Sequence, residues 1–244
     1  MFSDYYDSFV GADYDKIACF LDEQIKKFKP DSSLVCDLGC GTASVTERMS
    51  LKGYDPIGID SDVGMLMKAR EKLANDGVAN VLLLEQDITD FELYGTVDVI
   101  YSTLDTLNYI IDFKALDRLF ALVKNYLEYD GLFIFDINSE YKFENVLSDN
   151  VYTFDCDDVF CSWHVGFDKD SGICTHELTC FSKTEDGHYA RSDETQTQRY
   201  YRREEIESVA DSYGFELLSL SDDYSDAVVG AETERLTYVF KINK

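Results

Sequence analysis

The sequence predicts an α/β fold, in which a doubly wound, mostly parallel seven-stranded sheet carries an antiparallel β insert. Between residues 34 and 137, five short apolar runs alternate with amphipathic stretches. That order is typical of parallel strands joined by right-handed helical crossovers. Around Tyr152 the apolar period changes to two, which is typical of antiparallel strands.

The elements follow from these periods and from their flanking turn residues. The predicted strands of the main sheet are Leu34–Leu38, Pro56–Asp60, Val81–Glu85, Val97–Ser102, Gly131–Ile137, Phe215–Leu220 and Leu236–Ile242. The predicted strands of the insert are Val159–Phe167, Ile173–Phe181 and Glu194–Tyr201. Helices are predicted over residues 1–30 with a break at Gly11, and over about 42–52, 62–73, 112–127 and 203–213.

A chain of 244 residues suits one domain spanning 1–244. Within it, we expect residues 1–30 to form a helical lid and residues 151–201 to form the insert that caps a substrate site. The sequence contains no linker and no internal repeat, and no pattern in it indicates an oligomeric state.

The charge is strongly acidic, with 22 Lys and Arg against 48 Asp and Glu and a net charge of −26. Such a field opposes binding to nucleic acid and to anionic membranes, since both present negative phosphates. The sequence contains no apolar run of the roughly 20 residues that span a bilayer. We therefore expect a cytoplasmic protein whose partner is a small molecule.

Seven cysteines are present without a C-x-x-C pair, so free thiols are expected rather than a disulfide framework. Cys174, His176 and Cys180 alternate onto one face of a predicted strand. Zinc sites usually place two cysteines two to four residues apart on a turn, which these residues do not. No metal is therefore expected.

The most informative segment runs from Val35 to Thr42, where a buried strand meets Gly39 and Gly41 and then a helix. Glycine allows a sharp turn and a close approach of ligand to backbone, and the helix adds unpaired N–H groups. Asp60 ends the next strand, where a carboxylate can accept both ribose hydroxyls of an adenosine cofactor. The alternative for Asp60 is a helix N-cap, a role that Ser61 could also fill.

The type of adenosine cofactor follows from two neighbouring residues. A dinucleotide site requires a third glycine where Ser44 stands, and acidic Asp37 lies beside the loop. A carboxylate at this place favours a cation over a pyrophosphate.

These segments resemble the motifs of the class I S-adenosylmethionine-dependent methyltransferases. Asp37 to Thr42 is similar to the first motif, Ile59 to Ser61 to the second, Glu85 to Ile88 to the third and Val97 to Ser102 to the fourth. The resemblance covers nearly the whole chain. It implies that the cofactor is bound by Asp37, Gly39, Cys40, Gly41, Asp60, Ser61, Met65, Asp87, Ile88 and Ser102.

Within that family, the chain is similar to small bacterial enzymes of the Firmicutes type that are related to sugar N,N-dimethyltransferases. Tyr6-Asp7 with Asp13-Tyr14, the segment from Ser102 to Tyr109 and the insert carry this resemblance. It implies that Tyr14 reaches the carboxylate of the cofactor. The alternative is that Tyr14 packs at a helix interface.

The resemblance implies transfer of a methyl group from S-adenosylmethionine to nitrogen or oxygen of a small molecule, with S-adenosylhomocysteine as product. The alternatives are a methyltransferase of RNA or protein and a binding protein that performs no chemistry. No catalytic residue has an unambiguous match, and the candidates are Asp105, Tyr109 and His164. Trp163 and Tyr152 could stack on a substrate or hold a methylammonium group, although core packing is the favoured role for Trp163.

Overall fold

The structure is a computed structural model that describes residues 11–156, 158–184 and 186–243. Five α-helices of this part are α1 (Tyr14–Phe28), α2 (Ser44–Leu51), α3 (Val63–Asn75), α4 (Phe113–Tyr126) and α5 (Arg203–Ser212). The strands of the main sheet are β1 (Leu34–Leu38), β2 (Asp55–Asp60), β3 (Leu82–Glu85), β4 (Val97–Ser102), β5 (Leu127–Asn138), β10 (Phe215–Asp222) and β11 (Arg235–Ile242). The strands of the second sheet are β6 (Asn150–Cys156), β7 (Val159–Asp168), β8 (Ile173–Lys183) and β9 (Tyr189–Arg199).

The main sheet has seven strands in the order β10-β11-β5-β4-β1-β2-β3. Strands β1 to β5 run parallel, and β11 pairs antiparallel with both β5 and β10. The order reverses at β1, with β2 on one side and β4 on the other. In open sheets of this kind, ligands bind at the carboxyl ends of the strands beside such a switch point. The predicted fold class is confirmed.

The main sheet is buried on both faces. Successive side chains along its strands point to opposite faces of the sheet, and on both faces they are apolar. On β5, Phe133, Phe135 and Ile137 join the cluster that contains the apolar faces of α4 and α5. Leu132 and Ile134 of the same strand join the cluster beneath α1 and α2. The two helical layers thereby fix the sheet between them.

The second sheet is antiparallel in the order β6-β7-β8-β9. It contains one strand, β6, that was not predicted from the sequence. Strand β9 begins at Tyr189, five residues before Glu194, the predicted start of that strand. The first half of β9 is exposed, so its polar residues give no alternation of apolar and polar positions.

The N-terminal helical prediction is only partly within the described residues. Helix α1 begins after its N-cap Asp13, whose side chain accepts a hydrogen bond from Lys16 N at 2.9 Å. The predicted helical stretch before Gly11 lies outside the described residues. Within the described ranges, no helix has the length and apolar composition that a membrane span requires.

The prediction of free thiols is wrong for two of the seven cysteines. Cys161 of β7 stands opposite Cys180 of β8 in the strand register, and the two form a disulfide. Nineteen residues separate them, so only the pairing of the strands brings them together. Cys19, Cys36, Cys40 and Cys174 are free.

Candidate active site

A crevice opens where β1 ends. Gly39 and Gly41 both adopt positive φ angles, of 76° and 52°, so the chain turns sharply between β1 and α2. The N–H groups of Gly39 and Cys40 both donate to the carbonyl of Ile59, at 2.8 and 3.0 Å, which ties the turn to β2. A Cβ on Gly39 would lie 2.3 Å from Cγ2 of Thr106. Glycine is therefore required at this position by both conformation and space.

Asp37 is buried at the base of the crevice. Its Oδ2 accepts a hydrogen bond from the Thr46 hydroxyl at 2.6 Å, and the buried Tyr101 side chain also interacts with this carboxyl group. Burial raises the pKa of Asp37 to about 7. A cation in the crevice would favour the charged form of this carboxyl group.

Asp60 joins the two sides of the crevice. One of its oxygens accepts from Gly41 N and the other from Asp62 N, each at 2.8 Å. The N-cap of α3 is Asp62, which accepts from Gly64 N and Met65 N. Neither Asp60 nor Ser61 therefore takes the capping role that the sequence left open for them. Burial raises the pKa of Asp60.

Only some of the remaining predicted cofactor residues line this crevice. Ser102 is buried at the end of β4 and donates to the carbonyl of Leu38 at 2.7 Å. Asp87 is exposed after β3, where one of its oxygens accepts from the backbone and hydroxyl of Thr89. Cys40 and Tyr14 line the crevice, and the guanidinium of Arg48 lies over the Tyr14 ring. Ile88 and Met65 are partly buried, and Ser61 is exposed.

A second and larger space adjoins the crevice and has a volume of about 400 Å³. Leu104 lines both spaces. The start of α1, the loop after β4 and the inner face of the second sheet form the cavity walls. That sheet contributes apolar side chains from alternate positions of its strands, namely Phe154, Cys161, Trp163 and Leu178.

A buried charged cluster supports the loop after β4. Arg235 bridges Asp105, at 2.9 Å, and Asp136, and the hydroxyl of Tyr224 donates to Asp136 at 2.5 Å. Leu104 and Asp105 are consecutive residues with positive φ, at 58° and 55°. Their N–H groups donate to the Tyr224 hydroxyl and to Asp136. The cluster thereby stabilises an unfavourable backbone conformation at the junction of crevice and cavity.

The three candidate catalytic residues occupy different places. Burial raises the pKa of Asp105, but the positive charges of Arg235 and Lys142 outweigh it, so the pKa is lowered and the carboxyl group stays ionised. Burial raises the pKa of Tyr109, whose hydroxyl donates to Gln196 at 3.2 Å. His164 is exposed beside Glu177 and does not line the cavity. The structure therefore brings Asp105 and Tyr109 to the cavity, but not His164.

The cysteine and histidine residues considered as zinc ligands are separated in the structure. Cys180 forms the disulfide with Cys161, while Cys174 and His176 are buried on the inner face of β8. Across residues 11–156, 158–184 and 186–243, no three His, Cys, Asp or Glu side chains come together as metal ligands could.

Comparison with known proteins identifies the family. A family model described as a methyltransferase domain matches residues 35–131. The crystal structure of an S-adenosylmethionine-dependent methyltransferase from Clostridium acetobutylicum ATCC 824 is 33% identical, with a TM-score of 0.90. The match covers 100% of this chain and 98% of that one. This chain is an S-adenosylmethionine-dependent methyltransferase.

Two further relatives of the methyltransferase share less of its sequence. The structure of the CcbJ methyltransferase from Streptomyces caelestis has a TM-score of 0.85 at 19% identity. The match covers 100% of this chain and 97% of that one, and it shows that the two share a fold. A dTDP-3-amino-3,4,6-trideoxy-alpha-D-glucopyranose N,N-dimethyltransferase from Streptomyces venezuelae is 26% identical over 130 residues. That match covers 52% of each chain.

The residues of the crevice suit S-adenosylmethionine, the cofactor of this family. The molecule carries sulfonium and ammonium cations, and Asp37 places a buried carboxyl group in the wall of the crevice. A Cβ on Gly41 would meet no atom within 4 Å, so the backbone there is open to a ligand. Asp60 lies within hydrogen-bond reach of this same backbone. We expect Asp37 to bind a cationic part of the cofactor and Asp60 its ribose.

Sequence reasoning missed most of the residues around the larger cavity of the methyltransferase. The residues there that were not predicted from the sequence are Asn138, Lys142, Gln198, Asp136, Tyr224 and Arg235, and His176 was considered only as a metal ligand. Asp136 alone carries a signal in the sequence, because it interrupts the apolar run Phe133–Ile137 and a buried carboxylate requires a cation or several donors. Nothing local in the sequence indicates that Arg235, 99 residues later, supplies that cation.

Proposed function

We propose that this methyltransferase transfers the methyl group to a nitrogen or oxygen of a small molecule bound in the larger cavity. The observation that carries the proposal is the space of about 400 Å³ beside the crevice, which we name the acceptor cavity and which shares Leu104 with the crevice as a common wall. Sites for small molecules typically have volumes of about 300–1,000 Å³ and walls that are mostly apolar with a few polar groups.

The name of the Streptomyces venezuelae relative, an amino-sugar N,N-dimethyltransferase, also supports a small acceptor. The charge of −26 disfavours RNA, which would have to approach this acidic surface through its phosphates. The acceptor is therefore a metabolite rather than a macromolecule.

In this reaction S-adenosylmethionine supplies a methyl group on a sulfonium leaving group. The protein holds the acceptor nucleophile next to that methyl group and excludes water, which lowers the barrier mainly through proximity and orientation. Asp105 is a weak base because its oxygens accept from Arg235 and from Gln198 Nε2 at 2.6 Å. An amine acceptor would thus react in its neutral form, having lost its proton to water.

The test is a screen of fractionated metabolite pools for release of S-adenosylhomocysteine, measured by mass spectrometry. Small-molecule fractions are expected to support turnover, and the methylated product then identifies the acceptor. An Asp60→Ala variant serves as the control for cofactor-dependent signal. Turnover with RNA or protein fractions alone, or cofactor binding without turnover in every fraction, would refute the proposal.

A further inference from the structure

The side chain of Lys142 reaches the acceptor cavity without a partner for its charge. Lys142 begins the short helical turn Lys142–Leu147 that follows β5, and it lines the cavity. Its backbone N–H donates to the hydroxyl of Ser139 at 3.1 Å. Within the part of the chain that the structure describes, its ammonium group has no hydrogen bond and no ion pair. The ammonium nitrogen retains accessible surface, unlike Oδ1 of Asn138, which is sealed within the wall. A ligand in the cavity can therefore contact Lys142.

The other two cations of the cavity wall are already paired. Lys16 forms an ion pair with Asp223. The guanidinium of Arg235 bridges the two carboxylates of the buried charged cluster. Among the Lys and Arg side chains of the wall that the structure describes, Lys142 is therefore the one whose donors are free for a ligand.

The nearby carboxylate of Asp105 does not occupy the ammonium group of Lys142. Its two oxygens already accept from Arg235 and from Gln198 Nε2, at 2.9 and 2.6 Å. Asp105 and Lys142 therefore act on each other through space, without a direct contact. Burial lowers the pKa of Lys142, because its ammonium group has lost much of its water. Loss of water without a replacement hydrogen bond costs free energy, which an acceptor atom of a ligand would offset.

We propose that Lys142 binds a carboxylate group of the methyl acceptor. An ammonium group carries three donors and no acceptor, so its partner must accept. Hydrogen bonds between ammonium and carboxylate groups are about twice as strong as those between neutral groups. One ammonium group compensates one negative charge, whereas the second charge of a phosphate would stand beside Asp105. The inference rests on the proposed function, since it names the substrate class of that site.

The remaining wall of the cavity indicates the rest of the acceptor. The side chains of Phe154, Trp163 and Leu178 are apolar and suit a hydrocarbon portion of the ligand. The acidic surface of the protein does not prevent a carboxylate from entering, because salt screens exposed charges beyond about 8 Å while Lys142 acts in direct contact. The acceptor is therefore a small carboxylic acid with an apolar portion.

The test uses benzoate and benzamide, two probes of similar shape that differ in charge. Trp163 is the one tryptophan of the chain and lines the cavity, so its indole N–H signal in an NMR titration reports binding there. We expect benzoate to bind the full chain about tenfold or more tightly than benzamide, the effect of one hydrogen bond between charged groups. Phenyl phosphate is expected to bind more weakly than benzoate because of its second charge.

Variants assign the preference to Lys142. In Lys142→Met the apolar stem is kept and the charge is lost, so benzoate and benzamide should bind equally. Lys142→Arg should keep the preference for benzoate, because a guanidinium also donates to a carboxylate. Lys124→Met, an identical substitution on the exposed side of α4, is the matched control and should match the unmodified protein.

A measurement on the unmodified protein tests the contact even if Lys142→Met fails to fold. When the lysines carry ¹³C at Cε, benzoate should shift one lysine signal more than benzamide does, and that signal should be missing from Lys142→Arg. The proposal is overturned by equal binding of the two probes, by failure of both to bind, by a preference that survives Lys142→Met, or by tighter binding of phenyl phosphate.

These measurements require no methyl transfer, so they fail independently of the metabolite screen. An acceptor without a carboxylate, identified in that screen, would overturn the assignment of Lys142 and leave the proposed function intact.

Discussion

Removal of the Asp136 carboxylate tests the buried cluster most directly. Asp136 is fully buried and accepts hydrogen bonds from Arg235, Tyr224 and the N–H of Asp105. The change Asp136→Ala leaves a buried hydroxyl and a buried N–H without an acceptor. It also leaves Arg235 with Asp105 as its main counter-charge, since Asp223 lies 3.7 Å away.

The expected loss in the free energy of unfolding is about 3–5 kcal/mol, the usual cost of removing one partner of a buried ion pair. The substitution also removes the free-energy cost of burying the Asp136 carboxylate. The loss in the free energy of unfolding is therefore smaller than the summed free energies of its charged hydrogen bonds. For a chain of this size, the loss corresponds to a decrease in melting temperature of about 6–20 °C.

Urea unfolding monitored by circular dichroism measures the loss through the midpoint at constant slope. The matched control is Asp90→Ala, which removes an exposed ion pair. The side chain of Asp90 is 67% exposed and that of its partner Arg118 is 58% exposed. Exposed pairs contribute about 0–1 kcal/mol. The double variant Asp136→Leu, Arg235→Met is expected to lose less than the sum of its single changes. Equal losses for Asp136→Ala and Asp90→Ala would refute the structural role of the cluster.

Two further predictions concern the crevice. Asp60→Ala should weaken S-adenosylmethionine binding, measured by calorimetry, by about 1–3 kcal/mol because charged hydrogen bonds are lost. The control is Asp62→Ala, which removes the nearby N-cap of α3 and should keep the affinity. Equal affinities of the two variants would contradict the assignment of Asp60 to the ribose. The pKa of Asp37 is raised to about 7, so this group binds a proton on folding between about pH 4 and pH 7, and its contribution to stability falls as pH rises through that window. Asp37→Asn should therefore gain stability relative to the unmodified protein between pH 4 and pH 8 in urea unfolding, and a constant difference would contradict the raised pKa.

The sequence was sufficient for the main sheet because its strands and helices are local features with strong apolar periods. The run Leu34–Leu38 followed by Gly39 and Gly41 predicts a strand, a turn and a helix from neighbouring residues alone. The exposed first half of β9 carries no such period, which is why the start of this strand was missed. The period of two around Tyr152 was recognised, but β6 was not assigned as a separate strand.

More of the crevice than of the larger cavity could be located from local sequence, for a related physical reason. Its turn lies within a few residues of β1, and Asp60 follows at a spacing set by one crossover. The cavity instead depends on contacts between residues far apart in the chain, such as Asp105 with Arg235 and Trp163 with His176. Their pairing depends on strand register, which local periodicity does not encode.

The sequence by itself determined the fold class, the position of the cofactor turn and the family resemblance, because each of these depends on short segments whose preferences act locally. The tertiary structure alone decided that Cys161 pairs with Cys180, that Asp105 is held by Arg235, and that His176 and Asn138 line one cavity. Each depends on the pairing or packing of strands that are distant in the chain: β7 with β8 for the disulfide, β11 beside β5 for Arg235, and the second sheet against the main sheet for His176 and Asn138.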